Sequence, residues 1–342
     1  MSKYRNHHVV PVLSLQHFVD QRGQVWSYDK NNGRHWSAIP EETAFITHFY
    51  SFEREDGTMD TTIEKLIGRV ESAAANAYEK LVAGEMIKGK DREAFAHFVA
   101  LMVSRTPTQR RIAAKTYALG MSVHLAATGQ IEGAFESMVA RMRKDGLEVR
   151  EDDLPALRES MSDLSQFEVA IPKELTLRSL ELADVLVRVF LDMKWSLWRP
   201  GGHYFVTCDN PVVRNVDPRT VHPLMGDHGY LNKTAQVTLP LSPRMMVCMM
   251  WDRGWSWPVE MPKEHVKEQN QHRAFNAETC LYAHLEDKRL LRLAQKYRDQ
   301  RPDIEGGLLG DSKGFGSVTV PRRRPKRNGR ADKANETGGT QP

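Results

Sequence analysis

A short apolar segment that ends in an acid, an amide and a proline constrains this chain more than any other stretch. Tyr204 to Thr207 combines aromatic and β-branched residues, which favour a half-buried strand. Pro211 lacks an N–H and restricts Asn210 to extended backbone angles, so the strand has to end at Asp209. The carboxylate of Asp209 is thereby held at a strand end, either in a plain turn or in a functional site.

Other strands and helices follow from residue spacing. Residues 24–28 and 34–39 flank Asn32-Gly33, whose preference for positive φ angles predicts a β-hairpin. After residue 60, apolar residues at helical spacing predict a helix with one apolar face, formed by Ile63, Leu66, Ile67, Val70, Ala74, Ala77 and Leu81. Thr106-Pro107 suits an N-cap followed by the first position of a helix. Long amphipathic stretches predict further helices at 175–198, 265–283 and 286–298, and two short apolar runs at 235–241 and 245–251 predict an antiparallel pair of strands.

These elements predict an α+β fold in which a mainly helical body packs around a small antiparallel β-sheet, with an N-terminal β-hairpin. With 342 residues and 40% hydrophobic content, the chain is long enough to bury a sizeable core. We expect a single domain over residues 1–305, followed by a flexible basic tail over 306–342. Within the domain, the N-terminal arm and hairpin occupy 1–52, the helical part 60–200, and the sheet with its closing helices 203–300.

The positive charge of the chain is concentrated at its end. The formal net charge is +4; residues 322–342 contain seven Lys or Arg against two Asp or Glu, which gives +5 and leaves −1 for the rest. A nearly neutral body lacks the basic footprint of a dedicated nucleic-acid-binding domain. The tail, over 322–333, is therefore expected at most to make weak, salt-sensitive contacts with nucleic acid.

The sequence also predicts the compartment. No apolar leader opens the chain and no apolar run of about 18 residues occurs, so a cytoplasmic protein without membrane contact is expected. The three cysteines, Cys208, Cys248 and Cys280, are far apart and odd in number, which predicts buried thiols rather than disulfides or a zinc site.

Motifs of common enzyme classes are absent. No Gly-rich phosphate loop follows a strand, and neither Gly-x-Ser-x-Gly nor His-Glu-x-x-His occurs, which argues against the corresponding nucleotide, hydrolase-fold and zinc peptidase chemistries. His222 and His228 lie near Asp217 and Asp227, but without a recognised metal-ligand spacing. A solvated loop explains them more simply.

Three charged residues in the helical part attract attention. Glu64 and Glu71 are seven residues apart, so they share one stripe of a helix, about 10 Å apart along its axis. Arg105 lies at a junction of two helices, where its guanidinium fits a carboxylate or a phosphate. The acids are either solvated or functional, and Arg105 either pairs with one of them or binds an anionic group.

Taken in order, several short motifs resemble the domain-of-unknown-function family 4238 (DUF4238) over residues of about 7–290. The motifs are His8-x-x-Pro11 followed by Leu15 and Phe18, Phe49-Tyr50, Ile63-Glu64 with Glu71, Arg105-Thr106-Pro107, Thr207-Cys208-Asp209-Asn210-Pro211, Leu239-Pro240-Leu241-Ser242-Pro243, and Asn270. Family members more often have serine at the position of Cys208. The resemblance implies a common core and carries no established activity.

The resemblance implies that its widely separated polar residues meet in the fold as one candidate catalytic cluster, formed by His8, Glu64, Glu71, Arg105, Asp209 and Asn210. In one hypothesis, the cluster belongs to a phosphoester hydrolase that could be a nuclease. There His8, Glu64 and Asp209 bind a divalent metal, Mg²⁺ or Mn²⁺, or these residues and Glu71 do acid/base work, while Arg105 stabilises an anionic group. In the other, the same residues form a structural network in a non-catalytic binding or interaction protein whose protein partner is unknown.

Overall fold

The computed structural model describes residues 6–53, 58–162, 171–172, 175, 177–222, 227–252 and 258–300. The helices are α1 Val12–Leu15, α2 Thr62–Ala83, α3 Gly89–Ser104, α4 Pro107–Gln130, α5 Ala134–Lys144, α6 Leu154–Ser162, α7 Leu182–Asp192, α8 Lys263–Asn276 and α9 Lys288–Lys296. The strands are β1 Asn6–His8, β2 Val25–Asp29, β3 His35–Ala38, β4 Phe45–Thr47, β5 Phe52–Glu53, β6 Met59–Asp60, β7 Lys194–Arg199, β8 Thr207–Cys208, β9 Val213–Asn215, β10 Gln236–Ser242, β11 Met245–Met250, β12 Val259–Glu260 and β13 Cys280–Ala283. The α+β class expected from the sequence is confirmed.

The largest sheet has five strands in the order β12-β7-β11-β10-β9. Its centre is the predicted antiparallel pair β10 and β11, which join through a short turn at Pro243 and Arg244. One face packs against α2, α3 and α7 in the main hydrophobic core, which includes Tyr78, Phe98 and Phe190. This face is apolar because alternate residues of a strand point to the same side, and those of β10 and β11 are aliphatic.

A second sheet of four strands brings together both ends of the described chain, in the order β3-β2-β13-β8. The predicted hairpin β2–β3 forms its edge, and β13 lies between β2 and β8. Helices α8 and α9 cover this sheet through a cluster that includes Tyr28, Cys208 and Leu281. All three cysteines are free and buried, as predicted.

Helix α2 supplies one wall of the main core and has clear ends. The Asp60 carboxylate accepts the backbone N–H of Thr62 at 2.7 Å, which satisfies a donor of the first turn. Gly84 ends the helix in the left-handed conformation (φ 87°), as is common one residue beyond a helix. The predicted apolar face is buried from Ile67 to Leu81, whereas Leu66, predicted to share it, is 52% exposed.

The predicted helix boundaries are wrong at two places. Residues 194–198 form β7 rather than the end of a helix, since Lys194 to Arg199 alternates and pairs with β11. Residues 280–283 form β13 rather than the end of α8. In both cases a continuous sheet ladder overrides a local helical pattern. None of the described helices is long and apolar enough to cross a membrane.

The predicted domain limits and the tail stay predictions, because residues 301–342 lie outside the described part of the chain. Within the described residues, the strands of the two larger sheets come from segments as far apart in sequence as β2 and β13. The N-terminal, helical and sheet parts expected from the sequence therefore interleave in space.

Lys30 is buried between the hairpin and α8, with 1% of its surface exposed. Its Nζ donates to the carbonyl oxygens of Ala274 (3.3 Å), Ala277 and Gln300 (2.8 Å). The last carbonyls of a helix lack partners within the helix, and a cation is also favoured at the negative end of the helix dipole. Lys30 thus caps the buried C-terminal end of α8.

Replacing Lys30 with methionine is expected to destabilise the protein. The substitution keeps the apolar stem but removes the donor, at about 1–3 kcal/mol for each buried carbonyl left without a partner. Chemical denaturation should show this loss in the free energy of unfolding. Lys267→Met, at an exposed position of the same helix, is the matched control with an expected change within about 0.5 kcal/mol. Equal changes in both variants would contradict the capping role.

Candidate functional site

Arg105 lies at the junction of α3 and α4 and is completely buried. The junction forms as predicted, because Thr106 is the N-cap of α4 and its hydroxyl oxygen accepts the N–H of Gln109 at 3.2 Å. The Arg105 Nη1 donates to Glu71 Oε1 at 2.5 Å, and the Arg105 carbonyl accepts the Tyr50 hydroxyl at 3.0 Å. Arg105 was expected either to pair with Glu64 or Glu71 or to bind an anionic group, and the structure shows the ion pair with Glu71.

His7 joins the same network from β1. Its ring stacks on Tyr50, with centroids 5.5 Å apart, and its Nδ1 accepts the Tyr50 backbone N–H at 2.6 Å. An acceptor at Nδ1 places the ring proton of the neutral form on Nε2, which lies 3.1 Å from Glu64 Oε2. His7 therefore ties the N-terminal strand to α2 through Glu64.

His8, the histidine named as a candidate catalytic and metal-binding residue, lies on the opposite face of β1. Its Nε2 is 3.0 Å from the carbonyl oxygen of Glu41, and its ring meets Phe45 edge-on. Successive side chains of a strand alternate between faces, so only one of two adjacent histidines reaches the network. His7, the residue that precedes His8 in the chain, is the histidine that joins the network. The sequence pattern did not indicate it.

Glu64 and Glu71 do share one stripe of α2, and each is about a quarter exposed (26% and 25%). Burial raises the pKa of the Glu64 carboxyl, and the nearby charge of Glu71 raises it further. Glu71 is neutralised by Arg105. Glu64 also lines an open groove of about 660 Å³ along α2, together with Lys65, Gly68, Arg69 and Ser72. It is the one residue of the network that lines this groove.

Asp209 lies in a second network, at the turn between α8 and β13. Its carboxylate accepts the backbone N–H groups of Glu278 (2.7 Å), Thr279 (2.7 Å) and Cys280 (3.0 Å). The residue is 5% exposed. Burial raises the pKa of the Asp209 carboxyl to about 6, while the three N–H donors act in the opposite direction. The position and contacts fit a carboxylate that holds backbone in place.

Asn210 acts on the same turn from the other side. Its Nδ2 donates to the carbonyl oxygen of Asn276, the last residue of α8, at 3.2 Å. The Asn210 carbonyl accepts the Cys208 thiol at 3.1 Å. A serine hydroxyl could donate the same hydrogen bond as this thiol, so the bond itself does not require cysteine.

Asn270, the last motif residue, completes the strand that precedes Asp209. Its side-chain amide accepts the N–H of Val206 at 3.1 Å and donates to the carbonyl of Tyr204 at 3.0 Å. Only Thr207 and Cys208 belong to a ladder, so Asn270 of α8 takes the place of a neighbouring strand for the residues before them.

The first turn of α4 lies between the two networks. Arg110 donates to the Phe49 carbonyl at 2.7 Å, on the side of His7 and Tyr50. On the other side, Thr108 donates to Glu278 Oε2 at 2.8 Å and Arg111 forms an ion pair with the same carboxylate. The start of α4, directly after the motif Arg105-Thr106-Pro107, therefore contacts both networks. No local sequence signal marked Glu278 or Arg111 as part of these contacts.

The structure brings together three of the six candidates, Glu64, Glu71 and Arg105, and places Asp209 with Asn210 in a separate network. His8 lies outside both. All hydrogen bonds of the Asp209 carboxylate go to backbone of residues 278–280. His8, Glu64 and Asp209 therefore do not form the shared metal site expected for Mg²⁺ or Mn²⁺. Among the described residues, no group of three or more His, Cys, Asp or Glu side chains is arranged to hold a metal ion.

The raised pKa of Asp209 predicts a specific pH dependence of stability. Its folded-state pKa of about 6 exceeds the ordinary value of about 3.9, so the unfolded chain releases this proton first as the pH rises. The stability of the wild type relative to Asp209→Asn should fall by about 2 kcal/mol between about pH 4 and pH 7. Urea unfolding of both proteins across this range measures it. A difference that grows with pH would mean that the three N–H donors outweigh burial.

Comparison with known proteins identifies the family of this chain but assigns no activity to it. The family model described as "Protein of unknown function (DUF4238)" matches residues 6–287. No curated protein and no solved structure matches the chain. The matched segment covers most of the chain and includes every motif described above, from β1 to the turn at Asp209 and on to α8. The protein therefore belongs to the DUF4238 family.

Proposed function

We propose that this protein is a non-catalytic binding protein in which the polar motif residues are structural ties. The observation that carries the proposal is the position of Arg105. A residue that stabilises the charge of a reacting group has to reach that group. Arg105 has no exposed surface, and its guanidinium is already paired with Glu71.

The contacts of the other candidates support the same conclusion. Asp209 and Asn210 bind backbone groups at the end of α8 and the start of β13. These bonds satisfy donors and acceptors that would be costly to bury alone. His7 and Arg105 together fix α2 against the N-terminal strand and α3, so the groove along α2 is a rigid feature of the surface. Rigid grooves suit binding because little order is lost on association.

A phosphoester hydrolase, including a nuclease, is the second candidate, and Glu64 is the observation that favours it. Burial and Glu71 raise the pKa of this carboxyl, and it faces the open groove. A carboxyl that stays protonated to a higher pH can give a proton to a leaving group. In this version Glu64 is the general acid and Arg105 acts only by holding Glu71.

The cytoplasmic location remains part of the proposal, as does weak nucleic-acid contact through residues 322–333. Those residues lie outside the described part of the chain, and the support is their basic composition alone. Contacts of this kind weaken steeply as the salt concentration rises, because the release of counterions from the nucleic acid then yields less free energy. Nucleic-acid binding that persists at high salt would contradict this interpretation of the tail.

A turnover assay decides between the two candidates. Wild type, Asp209→Ala, Glu64→Gln and Glu93→Gln, which changes an exposed carboxylate on α3, are incubated with DNA, RNA and a chromogenic phosphodiester, with Mg²⁺, Mn²⁺ or neither. We expect no cleavage above buffer in any protein. Cleavage by wild type and by Glu93→Gln that is lost in Glu64→Gln would overturn the binding proposal and establish the hydrolase.

The pKa of Glu64 makes the hydrolase candidate testable in a second way. A general acid has to be protonated, so turnover would be highest at low pH and would fall as the pH rises through the raised pKa of Glu64. Loss of one general acid typically lowers the rate by about 10²–10⁴-fold. A pH profile of the initial rate checks this, and a wild-type rate that rises with pH would exclude Glu64 as the acid.

A further inference from the structure

We infer that the groove along α2 binds a small molecule that carries a phosphate monoester. The inference rests on the proposed binding function and specifies its ligand. The groove is lined by Glu64, Lys65, Gly68, Arg69 and Ser72, all from one helix. The groove is open to solvent and has a volume of about 660 Å³.

Two cations on the groove wall define the charge of the ligand. Lys65 and Arg69 are exposed and four residues apart, so they are neighbours on the helix surface. Among the described residues neither has an ion-pair partner. Two like charges at this spacing destabilise an isolated helix by a few tenths of a kcal/mol, and a bound anion would remove that repulsion. Arginine supplies a fork of donors and lysine a point charge, which together suit a phosphate with several oxygens.

Gly68 leaves the middle of the groove without a side chain. It lies inside the 22-residue helix α2, where glycine costs about 1 kcal/mol relative to alanine. Its backbone does not have a positive φ, and nothing in the described part of the chain lies within 4 Å of a Cβ built there. Within the described part of the chain, neither the backbone conformation nor the packing requires glycine at this position. A bare helix surface between Lys65 and Arg69 lets a ligand approach the backbone closely.

The protonation state of Glu64 is expected to make anion binding in the groove depend on pH. The charged groups that face it are His7 from β1 and Glu71, while Lys65 and Arg69 share its groove. An ionised Glu64 repels an anion, whereas a protonated one donates a hydrogen bond to it. We therefore expect an anion of constant charge, such as sulfate, to bind more tightly as the pH falls, and Glu64→Gln to flatten this dependence.

Calorimetric titration at constant ionic strength tests the site. The probes are phenyl phosphate as the monoester, inorganic phosphate, and a single-stranded oligonucleotide as the phosphodiester source. Phenyl phosphate should bind the wild type, and Lys65→Gln/Arg69→Gln should weaken binding by about tenfold or more, because charge-assisted hydrogen bonds are lost. The matched control is Lys263→Gln/Lys267→Gln, two exposed cations at the same spacing on α8, with no expected change.

Gly68→Leu is a second variant that keeps every charge. Leucine favours helix and meets open space here, so the protein should fold at least as stably while losing phenyl phosphate binding. Unchanged binding in both groove variants, or no binding by the wild type, would overturn the site. Binding of the oligonucleotide without binding of phenyl phosphate would likewise overturn the monoester ligand.

The two proposals fail in different experiments. Glu64-dependent cleavage in the turnover assay would refute the non-catalytic function but leave phosphate binding in the groove intact. Absence of phenyl phosphate binding would refute this ligand and leave the structural interpretation of Arg105 and Asp209 unaffected.

Discussion

The buried C-terminal end of α8 is the constraint on which much of this structure depends. A helix end exposes carbonyls without partners, and the turn that follows exposes N–H groups. Here two side chains of opposite charge satisfy them. The Lys30 ammonium donates hydrogen bonds to the carbonyl oxygens of Ala274 and Ala277. The Asp209 carboxylate accepts hydrogen bonds from the backbone N–H groups of residues 278–280. The hairpin and β8 are thereby fixed on one turn, and β13 can pair with both β2 and β8.

The second joint, at Arg105, illustrates why a buried ion pair is retained without adding much net stability. Taking both charges out of water offsets much of their attraction, whereas removing one partner leaves an uncompensated buried charge at a cost of about 3–5 kcal/mol. The pair with Glu71 therefore favours one packing of α2 against α3 over alternatives that would leave either charge alone. His7 adds the N-terminal strand to the same arrangement through Glu64.

Local chemistry made part of this predictable from sequence. The Asn-Gly turn of the hairpin, the Thr106-Pro107 helix start and the paired strands β10 and β11 each follow from residues adjacent in the chain, and each is confirmed. The local apolar pattern predicts helix at the segments that form β7 and β13. Their strand conformation depends on the partner strands β11 and β2, which lie far away in sequence. Whether His7 or His8 contacts Glu64 depends on which face of β1 packs against α2, and this is set by the tertiary structure. Glu278 carries no local signal at all, since its partners Thr108 and Arg111 are about 170 residues away.

Polar residues that are spread along a sequence and meet in a fold can do so for two reasons. Either a ligand requires them, or buried backbone groups and buried charges require them, and sequence alone does not separate these two cases. Exposure and the identity of the contacted atoms do. The Asp209 carboxylate accepts backbone N–H groups and the Arg105 guanidinium pairs with Glu71. Both residues are buried, so neither side chain faces a ligand. Glu64 is different, because its carboxyl contacts His7 while the residue also lines a groove. Lys65 and Arg69 line the same groove and have no ion-pair partner among the residues that the structure describes. A ligand that occupies this groove would therefore meet the motif residues at Glu64.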